Sequence, residues 1–182
     1  MNRSGQGEDF LQAALVHADV VHALARRLAP HPQDAPDIVQ ETYLRGYAAW
    51  GRRRPDDVGA WLATICLNVG RDALRRHARH NTFLDDRPAP DLPSAVDTAD
   101  AALERLGNDR IESALWTLPE VQRIAITLMD ICGFTAAQVA TITAAPRGTV
   151  LARVHRGRKT LALILTDERA EQRQPREVSD GS

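Results

Sequence analysis

The chain has 182 residues, a formal net charge of −1, 43% hydrophobic residues and 4% aromatic ones. That length allows one medium domain or two small helical ones. The near-neutral total, taken alone, argues against a nucleic-acid protein, but its distribution argues for one. Arg71, Arg75, Arg76 and Arg79 form one basic cluster. Arg147, Arg153, Arg156, Arg158 and Lys159 form a second, with no Asp or Glu between Gly133 and Ile164. Between them lies an acidic stretch carrying Asp85, Asp86, Asp91, Asp97, Asp100, Glu104, Asp109 and Glu112. Such segregation suggests two positive surfaces joined by a negative connector. The opening MNRSGQGEDF lacks the apolar centre of a signal peptide. No apolar run reaches the roughly 18 residues of a membrane span. Cys66 and Cys132 are isolated, with no CxxC. A cytoplasmic protein with two buried thiols and no membrane insertion is expected.

Helix signals dominate, since Ala, Leu and Arg are abundant and alternating β-branched runs are scarce. The apolar spacing of Phe10, Leu11, Ala14, Leu15, Val21, Leu24 and Leu28 predicts one helix over 8–28, ended by Pro30 and Pro32. Asp34 is placed to cap a second helix, with Pro36 in its first turn. Val39, Tyr43, Tyr47 and Trp50 share a face of it, widened by Ile38 and Leu44. Gly51 to Pro55 break the pattern as a basic loop. Asp56 or Asp57 starts a third helix running to His80, with Trp61, Leu62, Ile65, Val69 and Ala73 as its stripe. Its basic end suits a helix dipole. Prolines among aspartates mark residues 84–107 as a linker. Pro119 suits the first turn of a helix reaching Ile131, and Gly133 its end. Thr135 caps a short helix to Thr143, and Ala144, Ala145 and Pro146 make a turn. A longer helix follows from Arg147 to Leu165, and the polar tail after Asp167 is expected to be disordered.

The last two helices read as a helix-turn-helix. Val139, Ile142 and Val150 pack them together, and Val154 and Leu161 continue the seam. That leaves Leu151, Ala152, His155 and Arg156 outward, flanked by Arg153, Arg158 and Lys159 where phosphates would lie. Thr149 and the free N–H groups at the helix start could hold a phosphate as well. A solvated basic helix in a bundle is the bland alternative. On the second helix, Asp37, Gln40 and Glu41 form an acidic and polar face that suits a partner helix or plain solvent. Arg52, Arg53, Arg54, Trp61, Asn68, Arg71, Arg75 and Arg76 combine cations, an aromatic and an amide, which suits single-stranded DNA with an unstacked base. Trp61 fits a core position equally. His77 and His80 share a helix face, but no nearby Cys, Asp or Glu completes a metal site, so no metal and no cofactor is expected. No Gly-rich phosphate loop, GxSxG or HExxH occurs, and nothing points to an enzyme.

In this order the three constellations resemble the extracytoplasmic-function (ECF) sigma factors of bacterial RNA polymerase. ALARRLAPHPQDAPDIVQETYLRGYAAW is similar to the first part of the family's region two. VGAWLATICLNVGRDALRRHARH is similar to its promoter-melting part, and ALWTLPEVQRIAITLMDICGFTAAQVATITAAPRGTVLARVHRGRKTL to region four. The elements D-x-x-Q-E, A-W-L, L-P-x-x-x-R and G-T-V-x-x-R-x-x-R are each modest, and specific in their order and spacing. The resemblance implies an all-α fold of two small helical domains on a flexible acidic linker: 8–83, linker 84–107, 108–166 and a tail 167–182. No extra domain after region four implies no fused regulation.

The resemblance also implies roles. Asp37, Gln40 and Glu41 would dock on the clamp helices of core RNA polymerase, and region four on its flap. The loop 51–59, including Arg52, Arg53 and Arg54, would hold the flipped base of the minus-ten element, with Asn68 nearby and Trp61 behind. Arg71, Arg75 and Arg76 would hold the melted strand. Arg147, Leu151, Ala152, His155 and Arg156 would face the minus-thirty-five element of promoter DNA. An anti-sigma factor is the further partner implied. Leu151 and Ala152 stand where the family usually has a Lys or Arg and then a Ser. Arg147 replaces a small apolar residue, and TAAQVATI lacks the usual Tyr and Glu. An unusual or weak minus-thirty-five preference is therefore expected. Two alternatives remain open at this point: a stand-alone helix-turn-helix regulator, and a helical adaptor that binds only protein.

Overall fold

The computed structural model describes residues 3–52, 54–81 and 110–173. The expected linker, residues 84–107, lies outside them, as do Arg53 and residues 174–182 of the expected tail. Every regular element among the described residues is helical. The first half comprises α1 (Arg3–Leu15), α2 (Ala18–Leu28), a 3-10 turn (Pro32–Asp34), α3 (Ala35–Trp50) and α4 (Val58–Asn81). The second comprises α5 (residues 110–116), α6 (Glu120–Ile126), α7 (Ala136–Thr143) and α8 (Arg147–Arg173). A π turn, Thr127–Ile131, continues α6 directly.

The single helix expected over 8–28 is two. The His17 N–H bonds Ala14 O at 3.0 Å and the chain turns there. The break lets α1 lay Phe10 edge-on against Tyr47 and Trp50, at 5.7 and 5.5 Å between ring centroids. Val21, Leu24 and Leu28 meanwhile pack on α3 and α4. Leu11 and Leu15, expected on the apolar face, are left exposed.

The buried face of α3 is also shifted. Ala35, Ile38, Thr42, Gly46 and Trp50 turn inward, whereas Leu44 and Tyr47 are exposed. Thr42 tolerates full burial because its Oγ1 donates to Ile38 O at 2.6 Å. Gly46 lies under the Phe10 ring, where the aromatic fills the space. Asp34 does not cap α3. Its carboxylate accepts from the His31 N–H at 3.1 Å and closes the preceding 3-10 turn instead. Asp57 does cap α4, accepting from the Ala60 N–H at 2.9 Å. Gly70 lets α4 approach α2 closely, since a Cβ there would meet Leu28 Cβ at 2.5 Å.

In the second half Thr135 caps α7 as expected, in a reciprocal box with Gln138. Ala144 ends that helix in the left-handed region, at φ 50°. The π turn arises where Thr127, fully buried, back-bonds Arg123 O at 2.9 Å and the Cys132 N–H reaches Thr127 O. The last helix runs to Arg173, past the Leu165 expected and into the supposed tail.

The two halves pack together. One continuous apolar cluster takes Val21, Leu24, Leu28, Leu62, Cys66 and Leu67 from the first half. It also takes Ile124, Leu128, Val139, Ile142 and Val150 from the second. A smaller cluster of Leu115, Leu118 and Ile126, with Leu161 against it, ties α5 and α6 to α8. Arg123 crosses the junction. It is 5% exposed, its Nε donates to Arg27 O at 3.0 Å, and an Nη donates to Leu118 O at 3.3 Å. Its guanidinium lies 3.9 Å from the centre of the Trp116 ring. Burial lowers its pKa from the usual arginine value, though not enough to remove the charge.

A candidate interface for polymerase and DNA

Three exposed surfaces carry the residues singled out in the sequence. The first is a groove of about 760 Å³ between α3 and α4. Asp37, Gln40, Glu41 and Leu44 form one wall, and Arg75, Arg76 and Arg79 stand on the other. A ladder of charge bridges it. Arg45 donates to Glu41 at 2.6 Å and sits 3.7 Å from Asp72, which pairs with Arg75 at 3.2 Å. The bond to Glu41 raises the Arg45 pKa further. The sequence did not foretell this convergence. It placed the α3 acids and the α4 arginines in separate sites, and only the pairing of the two helices joins them.

The second surface is the loop after α3 with the exposed side of α4. Arg52 is exposed, and Arg53 lies outside the described residues. Arg54 pairs with the Asp9 carboxylate and lies over the Trp50 ring at 5.7 Å. Asp9 also accepts from Trp50 Nε1 at 3.0 Å, so it pins the loop to α1. Its role was invisible in sequence, because Asp9 reads as an ordinary residue of a first helical turn. Trp61 is half-buried and tilted against Trp50 at 5.9 Å, while Asn68 is exposed on α4. Arg71 is half-buried, and its Nε donates to Glu120 of the second half at 3.2 Å.

Further polar contacts cross between the halves. Gln138 Nε2 donates to Asp57 Oδ2 at 2.8 Å, so the first helix of the helix-turn-helix rests on the cap of α4. The Ala60 N–H, and then this amide, hold the Asp57 carboxyl below the usual carboxylate range. Glu112 accepts from Arg26 at 2.5 Å, with Arg27 at 3.8 Å.

The third surface is the outer face of α8. Val139, Ile142, Val150 and Val154 are all buried between α7 and α8, as their spacing predicts. Gly157 packs against α6, where a Cβ would meet Ile126 Cδ1 at 2.5 Å. These inward residues fix which side of α8 faces out. Arg147, Leu151, Ala152, His155, Arg156 and Lys159 are exposed, and Thr149 and Arg153 are half-buried. Arg158 is exposed but engaged, forming a fork with both oxygens of Asp130 at 2.5 and 2.9 Å. The π turn carries Asp130 into this contact, and no local sequence signal marks a π turn. The face therefore offers cations at both ends and an apolar centre, with the Asp130 carboxylate engaged by Arg158 at its edge.

Of the two thiols expected to be buried, Cys66 is, whereas Cys132 is half-buried. Burial pushes the Cys66 thiol up to about 12 and the Cys132 thiol up to about 11, so both stay protonated at neutral pH. Among the described residues, no three His, Cys, Asp or Glu side chains converge as a metal site. The rings of His77 and His31 meet edge-on at 4.7 Å. Among the described residues no helix is long and apolar enough to cross a membrane.

Two sequence families match. Sigma-70 region 2 covers residues 13–80, and Sigma-70, region 4 covers residues 108–161. The chain is 34% identical over 160 residues to the ECF RNA polymerase sigma factor SigE of Mycolicibacterium smegmatis, covering 85% of this chain and 61% of that protein. It thus spans less than two thirds of that relative's length. It is 34% identical over 165 residues to the ECF RNA polymerase sigma factor SigM of Mycobacterium tuberculosis, covering 89% of this chain and 80% of that one. In three dimensions it is similar to the sigma factor RpoE of Bartonella quintana, solved in complex with the anti-sigma factor NepR. The TM-score is 0.72 at 26% identity, over 87% of this chain and 98% of that one. It is also similar to CnrH in complex with the cytosolic domain of CnrY, at TM-score 0.68 and 26% identity, over 91% and 92% of the two chains. The two matched regions and the SigM likeness over most of both chains agree: this chain belongs to the ECF RNA polymerase sigma factors, transcription initiation factors with no enzymatic activity of their own.

Proposed function

We propose that this chain directs core RNA polymerase to a set of promoters, acting in the cytoplasm where transcription occurs. Asp37, Gln40 and Glu41 meet the polymerase clamp helices, and region four meets the flap. Arg52, Arg53, Arg54 and Asn68 receive the unstacked minus-ten base, with Trp61 supporting the loop. Arg71, Arg75 and Arg76 carry the strand backbone. The α8 face reads the duplex upstream, with Thr149, Arg153, Arg158 and Lys159 at the phosphates. The observation that carries this reading is that outer face of α8: an exposed surface to which α8 itself contributes cations and no acid from Arg147 to Ile164, oriented by a buried seam on its opposite side.

Capturing a base costs a few kcal/mol of unstacking, which the loop contacts must offset. The contacts between halves give a physical reason for the free chain to bind DNA poorly. Arg71 is occupied by Glu120, and Asp57, at the edge of the minus-ten loop, by Gln138. Polymerase has to replace these contacts with its own. We also propose an anti-sigma partner, supported by the likeness to RpoE, solved in complex with the anti-sigma factor NepR.

The test separates docking from reading. Asp37→Arg with Glu41→Arg should abolish binding to core polymerase. Arg156→Glu should leave core binding intact and weaken use of promoters that depend on the upstream element. If the α3 double variant bound core normally, the docking assignment would be wrong. If duplex binding by the free chain were strong and polymerase-independent, a stand-alone regulator would be the better account.

A further inference from the structure

We propose that Leu151, with Ala152 beside it, makes α8 a reader of thymine methyl groups. The proposal rests on the reading of α8 as the helix that enters the duplex, and it deepens that reading by naming a base. Leu151 is 42% exposed near the start of α8, and it is the one large apolar side chain on the outward face between Arg147 and Lys159. A single exposed leucine is unremarkable on a protein surface. The surroundings give this one meaning. The inward seam of Val150, Val154 and Gly157 is already complete on the other side, so the core has no use for Leu151. Arg147 lies one turn before it, and His155 and Arg156 one turn after, all exposed. Ala152 next to it carries no donor. The centre of the face can make no side-chain hydrogen bond, while both ends can.

The one methyl group on the major-groove edge of a base pair is the C5 methyl of thymine, the apolar contact that a leucine fits. Guanine and adenine offer acceptors there that suit Arg and His. A helix advances about 6 Å per four residues at 1.5 Å each, and successive bases of one strand are about 3.4 Å apart. Leu151 and the donors one turn away on either side therefore sit about two base pairs apart. The expected upstream element has a thymine at its centre, with purine acceptors roughly two pairs to either side. Charge supports duplex DNA as the occupant of this face. Arg147, Arg156 and Lys159 surround the leucine, and the sequence holds no Asp or Glu between Gly133 and Ile164.

The experiment uses polymerase holoenzyme reconstituted with the full chain. Selection from a duplex library randomised upstream of a fixed minus-ten element yields the preferred sequence. Each thymine in it is then replaced by deoxyuridine, which removes the methyl group and nothing else. At one central position that replacement should weaken holoenzyme binding about fourfold, the value of one buried methyl-sized group. Leu151→Ala, a truncation at an exposed site, should erase the difference between thymine and uracil there. Leu151→Lys should move the selected base from thymine towards guanine. If every deoxyuridine replacement is neutral while Arg156→Glu still destroys upstream selectivity, methyl reading is wrong and the α8 assignment survives. If no upstream preference emerges and Arg156→Glu changes nothing, both fall.

Discussion

Replacing Arg123 by Met should destabilise the whole chain by about 3 kcal/mol. The side chain is nearly fully buried and donates to two carbonyls, Arg27 O in the first half and Leu118 O in the second. Hydrogen bonds from a charged donor contribute about 1.5–3 kcal/mol each. The stack on Trp116 adds about 1 kcal/mol. Against this, methionine fills much of the volume and removes the desolvation cost of a buried charge. The balance leaves a loss near 3 kcal/mol. Urea titration followed by tryptophan fluorescence reads both halves at once, because Trp50 and Trp61 lie in the first and Trp116 in the second. With a slope of about 2 kcal/mol per molar, the midpoint should fall by about 1.5 M. Arg123→Lys keeps the charge without the fork and should lose about half as much. The shared apolar cluster adds a second requirement, that the native chain unfold in one transition. A loss below about 0.5 kcal/mol for Arg123→Met would refute the ledger of contacts. Two separated transitions in the native chain would refute the shared core.

Three further outcomes are expected. Ala144 holds a left-handed conformation that disfavours a Cβ, so Ala144→Gly should stabilise by about 0.5–1 kcal/mol after the entropy of the freer unfolded chain is counted; a loss of melting temperature would contradict this. Asp57→Ala should cost about 1 kcal/mol at neutral pH. Because the folded Asp57 pKa is depressed, its contribution is full above the unfolded carboxylate value of about 3.9 and disappears as pH falls through the lower folded value. The gap between Asp57→Ala and the native chain should close below about pH 4, whereas Asp57→Asn, still able to cap, should show little loss at pH 7. A gap equally wide at pH 3 and pH 7 would rule out the carboxylate as its source. Cys66, fully buried and raised to about 12, should resist an aromatic disulfide reagent in native buffer and react on unfolding, with the half-buried Cys132 reacting first; rapid labelling of Cys66 in the native chain would overturn its burial.

What the sequence reveals here is local. Periodicity located α3, α4, α7 and α8, and cap chemistry located Thr135 and narrowed the α4 cap to Asp56 or Asp57, because each signal lies within a few residues of its effect. The outward face of α8 was legible for the same reason, since Val150 and Val154 fix its opposite side. What failed needed knowledge of distant neighbours. The turn at His17 exists so that Phe10 can reach Trp50, and nothing near His17 announces it. Leu44 looked like core by its spacing, but Thr42 and Gly46 proved to be the contact with α1 and α4. Asp9, Glu120, Asp130 and Gln138 each engage a residue more than twenty positions away, so composition alone made them ordinary surface groups.

The measurement that bears most directly on the central claim is run-off transcription with bacterial core polymerase on a pooled promoter library from the host genome, with and without this chain. Transcripts that share a minus-ten and an upstream motif should start only when the chain is present, and Arg156→Glu should remove those that rely most on the upstream motif. Core polymerase that binds the chain yet starts no transcript with it, from any member of the library, would contradict promoter selection as the function of this protein.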